Sequence, residues 1–298
     1  MSSVTKSSVT KSPVPKSPVS DASAPAIAAE PGIVSLDQLS VRFGLGASAY
    51  EAVAGVTLEI AAGEFVAIVG PTGCGKSTLL NVVAGLLAPA AGLARVHGRR
   101  VAGITAEAGY LFQQDALMPW KTALANVAVA LEVGGVAAPE ARERARALLA
   151  RVGLARFVDR YPHQLSGGQR KRVALAQMLI RNPAILLMDE PFGPLDAQTR
   201  GMMGDLLLSL WSADRKAVLF VTHDLDEAIS LADRVVVMSA GPSSRIMADH
   251  RIDLPRPRAI NEIRLEAAFH EYRRIIWNDL RDEVMKAYGA QDDAGGHS

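Results

Sequence analysis

Nine consecutive residues constrain this 298-residue chain more than any other stretch. Gly70, Pro71, Thr72, Gly73, Cys74, Gly75, Lys76 and Ser77 fit the pattern G-x-x-x-x-G-K-[ST] without a mismatch, and Thr78 follows. A solid apolar run, 65–69, precedes them and a helix-like run, 77–87, follows. That order implies a strand, a glycine loop and a helix. Backbone N–H groups of such a loop can wrap a triphosphate, because glycine reaches conformations that a Cβ forbids. The helix beginning near Lys76 turns its positive dipole end toward the same phosphates. Lys76 adds a point charge for the β/γ oxygens, and the Ser77 hydroxyl suits Mg²⁺. ATP and Mg²⁺ are the expected ligands. Cys74 is read as a spectator within the loop.

The remaining pattern extends this plan. Residues 34–41 alternate apolar and polar as an edge-type strand does, and Val56, Leu58 and Ile60 alternate likewise. The short apolar runs 185–188, 219–221 and 235–238 read as buried strands separated by helices. The fold class is therefore α/β with a largely parallel sheet. Between about 115 and 170, Ala141, Ala145, Leu148, Leu149 and Val152 recur at helical spacing, with Arg142, Arg144, Arg146 and Arg151 mostly elsewhere on the wheel. That stretch reads as a helical insert with a solvated basic face. Residues 262–287 read as a terminal helix with the stripe Phe269, Tyr272, Ile276, Leu280 and Val284. The first 30 residues are rich in Ser, Pro, Thr and Lys, repeat SVTKS in phase and contain no aromatic residue. They are expected to be disordered.

A second group of chemically expensive residues lies downstream. The apolar run from Ala184 ends in Asp189 and Glu190. A buried strand ending in two acids is costly unless the charges have work to do. Beside a phosphate loop, Asp189 belongs in the Mg²⁺ shell through water. Glu190 points elsewhere and is placed to polarise a water in line with the γ-phosphate. His223 ends another strand, where strand C-termini gather. It can contact the γ-phosphate and orient Glu190. The remaining histidines, His97, His163, His250, His270 and His297, have no such context.

Composition narrows the partners. The formal charge is +1, from 32 basic and 31 acidic residues, so nothing suggests nucleic acid. A single cysteine forms no intrachain disulfide. No apolar run reaches the ~18–20 residues of a spanning helix, and the N-terminal residues lack the apolar core of a secretory signal. Any service to a membrane is expected to run through another chain.

Leu165, Ser166, Gly167, Gly168 and Gln169 complete the pattern. With the phosphate loop upstream and the acidic strand soon after, this pentapeptide closely resembles the signature of the ABC (ATP-binding cassette) ATPases. The resemblance covers about residues 33–287. It implies a P-loop NTPase (RecA-like) core, an antiparallel β subdomain and an inserted α-helical subdomain. The expected layout is a disordered tail over 1–30, the ATPase domain over 31–250 with its helical subdomain at about 115–170, and a C-terminal helical extension and tail over 251–298. Ser166 can cap the helix that follows, and Gly167 and Gly168 leave backbone N–H groups bare. That makes a second anion site which cannot share one nucleotide with the first loop. In the family two subunits meet head to tail, with ATP between Lys76 of one and Ser166 of the other.

Further roles follow from the resemblance, position by position. Gln113 resembles the Q-loop glutamine that senses Mg²⁺ and the attacking water, with Gln114 adjacent as an alternative. Pro194, Leu195 and Asp196 resemble the D-loop. Phe43 resembles the residue that stacks on adenine, with Tyr50 as a competitor. Trp120 would lie near the docking groove for membrane subunits or in the core. Met118-Pro-Trp-Lys-Thr, Tyr161-Pro-His-Gln-Leu and Leu195-Asp-Ala-Gln-Thr-Arg look like the nitrate, sulfonate and taurine importers. Gln169-Arg-Lys in place of Met-Arg-Gln, and Pro194 in place of alanine, depart from that group. The resemblance implies a homodimer or a dimer of paralogues at the cytoplasmic face of the inner membrane, permease subunits, and indirectly a solute-binding protein. A repair ATPase would need heptad arrays that are absent between Ser77 and Asp189. A P-loop kinase would have no use for residues 165–169.

Overall fold

The computed structural model describes residues 32–44 and 46–295, so the expected tail lies outside the described residues. Two sheets form the frame. The smaller combines β1 (Val34–Phe43), β2 (Tyr50–Ile60), β4 (Ala91–Val96) and β5 (Arg99–Arg100) in the order β2-β1-β4-β5, all antiparallel. β1 is therefore an inner strand, not the edge-type strand expected. Its alternation reports one covered face and one open face, a pattern that antiparallel sheets show at any position. Leu36 pairs with Leu58 on one side and Ala94 on the other.

The larger sheet has the order β10-β9-β3-β8-β7-β6. Its strands are β3 (Phe65–Val69), β6 (Ala108–Leu111), β7 (Ile185–Asp189), β8 (Ala217–Val221), β9 (Arg234–Met238) and β10 (Ile246–Arg251). All pair in parallel except β10, which is antiparallel to β9. Every residue of β3 is buried because both faces of the sheet are covered. Val66 and Ile68 face α1 (Lys76–Val83) and the antiparallel sheet. Phe65, Ala67 and Val69 face the opposite core. That core is completed by α5 (Ala197–Ala213), α6 (Leu225–Leu231), α7 (Ile260–Ile263) and α8 (Ala267–Gly295).

A third hydrophobic cluster is built mainly by helices α2 (Ala123–Glu132), α3 (Ala138–Arg151) and α4 (Gly167–Leu179), with Leu154 and Leu165 from the segments between α3 and α4. Ala141, Ala145, Leu148 and Leu149 turn inward while Arg142, Arg144, Arg146 and Arg151 are exposed. α4 belongs to two cores. Val173 and Ala176 enter the helical cluster, and Ala174, Leu175 and Met178 enter the main one.

Two helix boundaries differ from the sequence expectation. α1 stops at Val83, because Gly85 takes a positive φ of 73° and ends the turn. The terminal helix starts at Ala267. Ahead of it Asp205 accepts the Ile260 N–H at 2.9 Å and Ile260 and Ile263 are buried, which docks α7 separately. Among the described residues no helix is long and apolar enough to cross a membrane.

Candidate active site

The phosphate loop leaves the end of β3 and enters α1 at Lys76. Two glycines are dictated by space. A Cβ on Gly70 would lie 2.8 Å from Cys74 Sγ. Gly75 has φ +89°, and a Cβ there would lie 2.6 Å from Val53 Cγ2. Lys76 folds back over the loop, and its Nζ donates to the carbonyls of Gly70 and Pro71, each at 3.0 Å. Cys74 is buried, and burial pushes its thiol pKa up while the neighbouring Lys76 opposes that shift.

Ser77 Oγ donates to Asp189 Oδ1 at 2.8 Å, joining the first turn of α1 to the end of β7. Burial raises the Asp189 pKa. The Ser77 hydrogen bond opposes that shift, and the nearby Glu190 charge adds to it. A hydroxyl and a carboxylate side by side are hard oxygen donors, and a carboxylate that ionises at a cost gains from a divalent cation. This donor pair fits Mg²⁺, which keeps waters and phosphate oxygens for its other positions. Among the described residues there is no group of three or more His, Cys, Asp and Glu that would cage an ion by itself.

Glu190 follows Asp189 with φ +42°, which turns its side chain out of the strand alternation. Its N–H donates to Val221 O at 2.9 Å and fixes that turn. Gln113 Nε2 donates to Glu190 Oε2 at 3.3 Å, and His223 Nδ1 lies 3.1 Å from the same oxygen. Three residues far apart in sequence thus meet on one atom. Gln113 shares the cleft with the loop, whereas Gln114 lines a groove beside Tyr110 and Met178.

The cleft over the loop holds about 470 Å³ and is bounded by Phe43 and Tyr50 at one side and Gln113, Glu190 and His223 at the other. Phe43 and Tyr50 are register partners across β1 and β2, with ring centroids 5.7 Å apart. Both rings reach the cleft, so the structure keeps both as candidates for stacking. Trp120 is 72% exposed, which removes the core alternative for it.

Residues 165–169 do not line this cleft. Ser166 is the N-cap of α4: its Oγ accepts from Gln169 N at 3.3 Å, and Gln169 Oε1 accepts from Ser166 N at 2.9 Å. Ser166 is exposed, and a Cβ on Gly168 would lie 2.7 Å from Thr199 Cγ2 of α5. Asp196 caps α5 through Thr199 N at 2.9 Å.

A match to the ABC transporter family spans residues 53–193. An uncharacterized ABC transporter ATP-binding protein of Methanocaldococcus jannaschii is 45% identical over 254 residues, covering 85% of this chain and 93% of that protein. The chain belongs to the ATP-binding subunits of ABC transporters. This cassette is an ATPase, and its fold is the ABC ATPase fold, with a parallel sheet and an antiparallel β subdomain. The aliphatic sulfonates import ATP-binding protein of a Mycobacterium species is 49% identical over 229 residues, covering 76% of this chain and 87% of that one. The taurine import ATP-binding protein of Chromobacterium violaceum is 48% identical over 209 residues, covering 70% and 79%. A solved dimeric ATP-binding cassette, in a post-hydrolysis state bound to ADP and Pi, matches with a TM-score of 0.66 and 33% identity. It covers 74% of this chain and all of that one.

Sequence reasoning missed two groups that hold the cassette's site from behind. Asp115, Arg170 and Lys171 join the segment after Gln113 to α4. Arg200 donates to Asp224 at 2.8 Å and to Leu195 O at 3.0 Å, tying the turn before α5 to the N-cap of α6, next to His223. Glu227 is buried there and accepts from Thr222 Oγ1 at 2.7 Å. Lys171 stands between Arg170 and Arg172 and reads as part of a solvated basic turn, so the first group left no clear signal in the sequence. The second left none either.

Proposed function

We propose that this cassette energises import of a small solute of the sulfonate or taurine type, working as a head-to-tail pair. The observation that carries the catalytic part is the meeting of Gln113, Glu190 and His223 at one carboxylate oxygen beside the loop that holds Lys76. ATP lies between the 70–78 loop of one subunit and Ser166, Gly167, Gly168 and Gln169 of the other, with Phe43 or Tyr50 against adenine. The exposure of Ser166 and its distance in the fold from its own subunit's cleft support that pairing, as does the dimeric state of the similar solved cassette.

In this reading Glu190 takes the proton of the attacking water as a general base. A positioned base contributes about 10²–10⁴-fold in rate. Gln113 and His223 hold the Glu190 carboxylate in line. Lys76 and the partner's Ser166 stabilise charge developing on the β/γ oxygens. Ser77 and Asp189 would hold Mg²⁺, which supplies neutralisation of phosphate charge when bound. Closure depends on contacts that ATP makes to both subunits, so its hydrolysis reopens the pair.

The solute class rests on the relatives named for sulfonate and taurine import. The alternative is another small organic or inorganic nutrient, nitrate included. Permease subunits at the cytoplasmic face of the inner membrane, fed by a solute-binding protein, complete the assembly. The helical cluster of α2, α3 and α4 is its proposed contact with them, with Trp120 at the groove. ATP hydrolysis measured against protein concentration tests the pairing: the rate per subunit rises with concentration and disappears in Glu190→Gln. A rate independent of both refutes it. Uptake of labelled taurine and of a labelled aliphatic sulfonate by cells lacking the gene tests the solute, and unchanged uptake of both refutes that class.

A further inference from the structure

Lys171 lies in the second turn of α4 with a side chain only 2% exposed. Its Nζ is 2.9 Å from Asp115 Oδ1 and donates to the carbonyls of Gln113 at 3.1 Å and Phe112 at 3.5 Å. Two carbonyls accept from the ammonium group, and the Asp115 carboxylate pairs with its charge. The other Asp115 oxygen takes Arg170 Nε at 3.3 Å, and Arg170 also grips Leu165 O at 2.8 Å. The first turns of α4, capped by Ser166, are thereby fastened to residues 112–115. A well-packed apolar residue is often at least as stable as a buried ion pair, so such a pair points to a specified geometry more than to stability.

We propose that Lys171 is a positioning residue for hydrolysis: it fixes the Gln113 peptide so that Nε2 stays on Glu190, and it carries displacements of the Ser166 end of α4 to that contact. The proposal rests on the roles given above to Gln113 and Glu190. Gln113 bonds Glu190 with its side chain and Lys171 with its carbonyl, so one residue links both partners. When a second subunit engages Ser166, the rigid first turns of α4 move as a unit. Lys171 moves with them, and the Gln113 amide shifts relative to the base.

A double-mutant cycle on the full chain tests this. Lys171→Met, Gln113→Ala and the pair are compared for kcat, KM, nucleotide affinity and melting temperature. Lys171→Met should lower kcat about tenfold with KM within about twofold. In the Gln113→Ala background the same change should cost nothing further. A folded Lys171→Met protein with wild-type kcat overturns the proposal. So does a full additional loss in the Gln113→Ala background, or wild-type turnover in Gln113→Ala itself. Should Lys171→Met not fold, Asp115→Asn keeps the shape and both carbonyl acceptors of Lys171 and removes the carboxylate charge. Its loss of kcat must likewise vanish in the Gln113→Ala background, and an equal loss in both overturns the proposal. Glu190→Gln separates the two failures. If it abolishes turnover while the cycle is additive, only Lys171 is misassigned. If it turns over normally, the underlying site reading is at fault.

Discussion

Replacing Glu227 by Gln should stabilise this protein above neutral pH. Glu227 is 4% exposed on α6, and burial pushes its pKa from 4.5 up to about 7. The hydrogen bond from Thr222 opposes that shift, as do the charges of Arg200 and His223, and the Asp224 carboxylate adds to it. The native protein thus keeps its proton to about pH 7, whereas the unfolded chain releases it near 4.5. Between those values the unfolded state binds fewer protons, so this group makes stability fall as pH rises, and the effect levels off above pH 7. A shift of about 2.5 units at 1.36 kcal/mol each gives a loss of about 3 kcal/mol by pH 8. Glutamine keeps an acceptor for Thr222 and carries no charge to bury, so the variant should escape that loss. In a domain of this size each kcal/mol moves the melting temperature by about 2–4 °C. The gain at pH 8 should therefore be about 6–12 °C, shrinking to little at pH 5. Thermal melts of both proteins from pH 5 to 8 provide the measurement. Parallel curves would refute the burial argument. A variant that melts lower at pH 8 would show that attraction to Arg200, 3.4 Å away, outweighs desolvation.

Other perturbations address the nucleotide site. Gly75→Ala forces a side chain into a positive φ and against Val53, so nucleotide binding should fall by at least about tenfold by fluorescent-nucleotide titration. Ser77→Ala removes the hydroxyl that bonds Asp189 and should raise the Mg²⁺ concentration needed for half-maximal ATPase activity several-fold, with the loop intact by melting temperature. Phe43→Ala and Tyr50→Ala, compared in parallel, should identify the adenine contact. The stacking residue should lose about 1–3 kcal/mol of nucleotide affinity by calorimetry, and its neighbour less than half of that. Ser166→Ala should leave nucleotide binding to the isolated subunit unchanged, yet lower turnover at concentrations where wild type is paired. Equal losses in both assays would contradict the head-to-tail pairing.

What could be read from the sequence divides along a physical line. The loop, the acidic strand end and the α4 cap are local: their chemistry needs residues a few positions apart, held by one turn of backbone. Gly75 needs its φ, and Ser166 needs Gln169 three residues on, whatever else the chain does. The buried strands were legible for the same reason, since an apolar run is its own record of burial. β1 was legible as a strand, but its inner place in the sheet was not, because alternation reports which faces are covered and is silent on neighbours. The Phe43–Tyr50 pairing is settled only by the register of β1 against β2, and the trio at Glu190 only by the sheet order. Lys171 is the sharper case. A lysine inside a helix reads as a solvent-facing residue, and the acid that neutralises it lies in a loop before the helical insert. The helical cluster folds around its own core, yet α4 also enters the main core. A charge on α4 can therefore be buried against the loop that leads into the insert. The Lys171 contact, invisible in the sequence, is thus one that joins the loop after the main sheet to a helix shared by two cores.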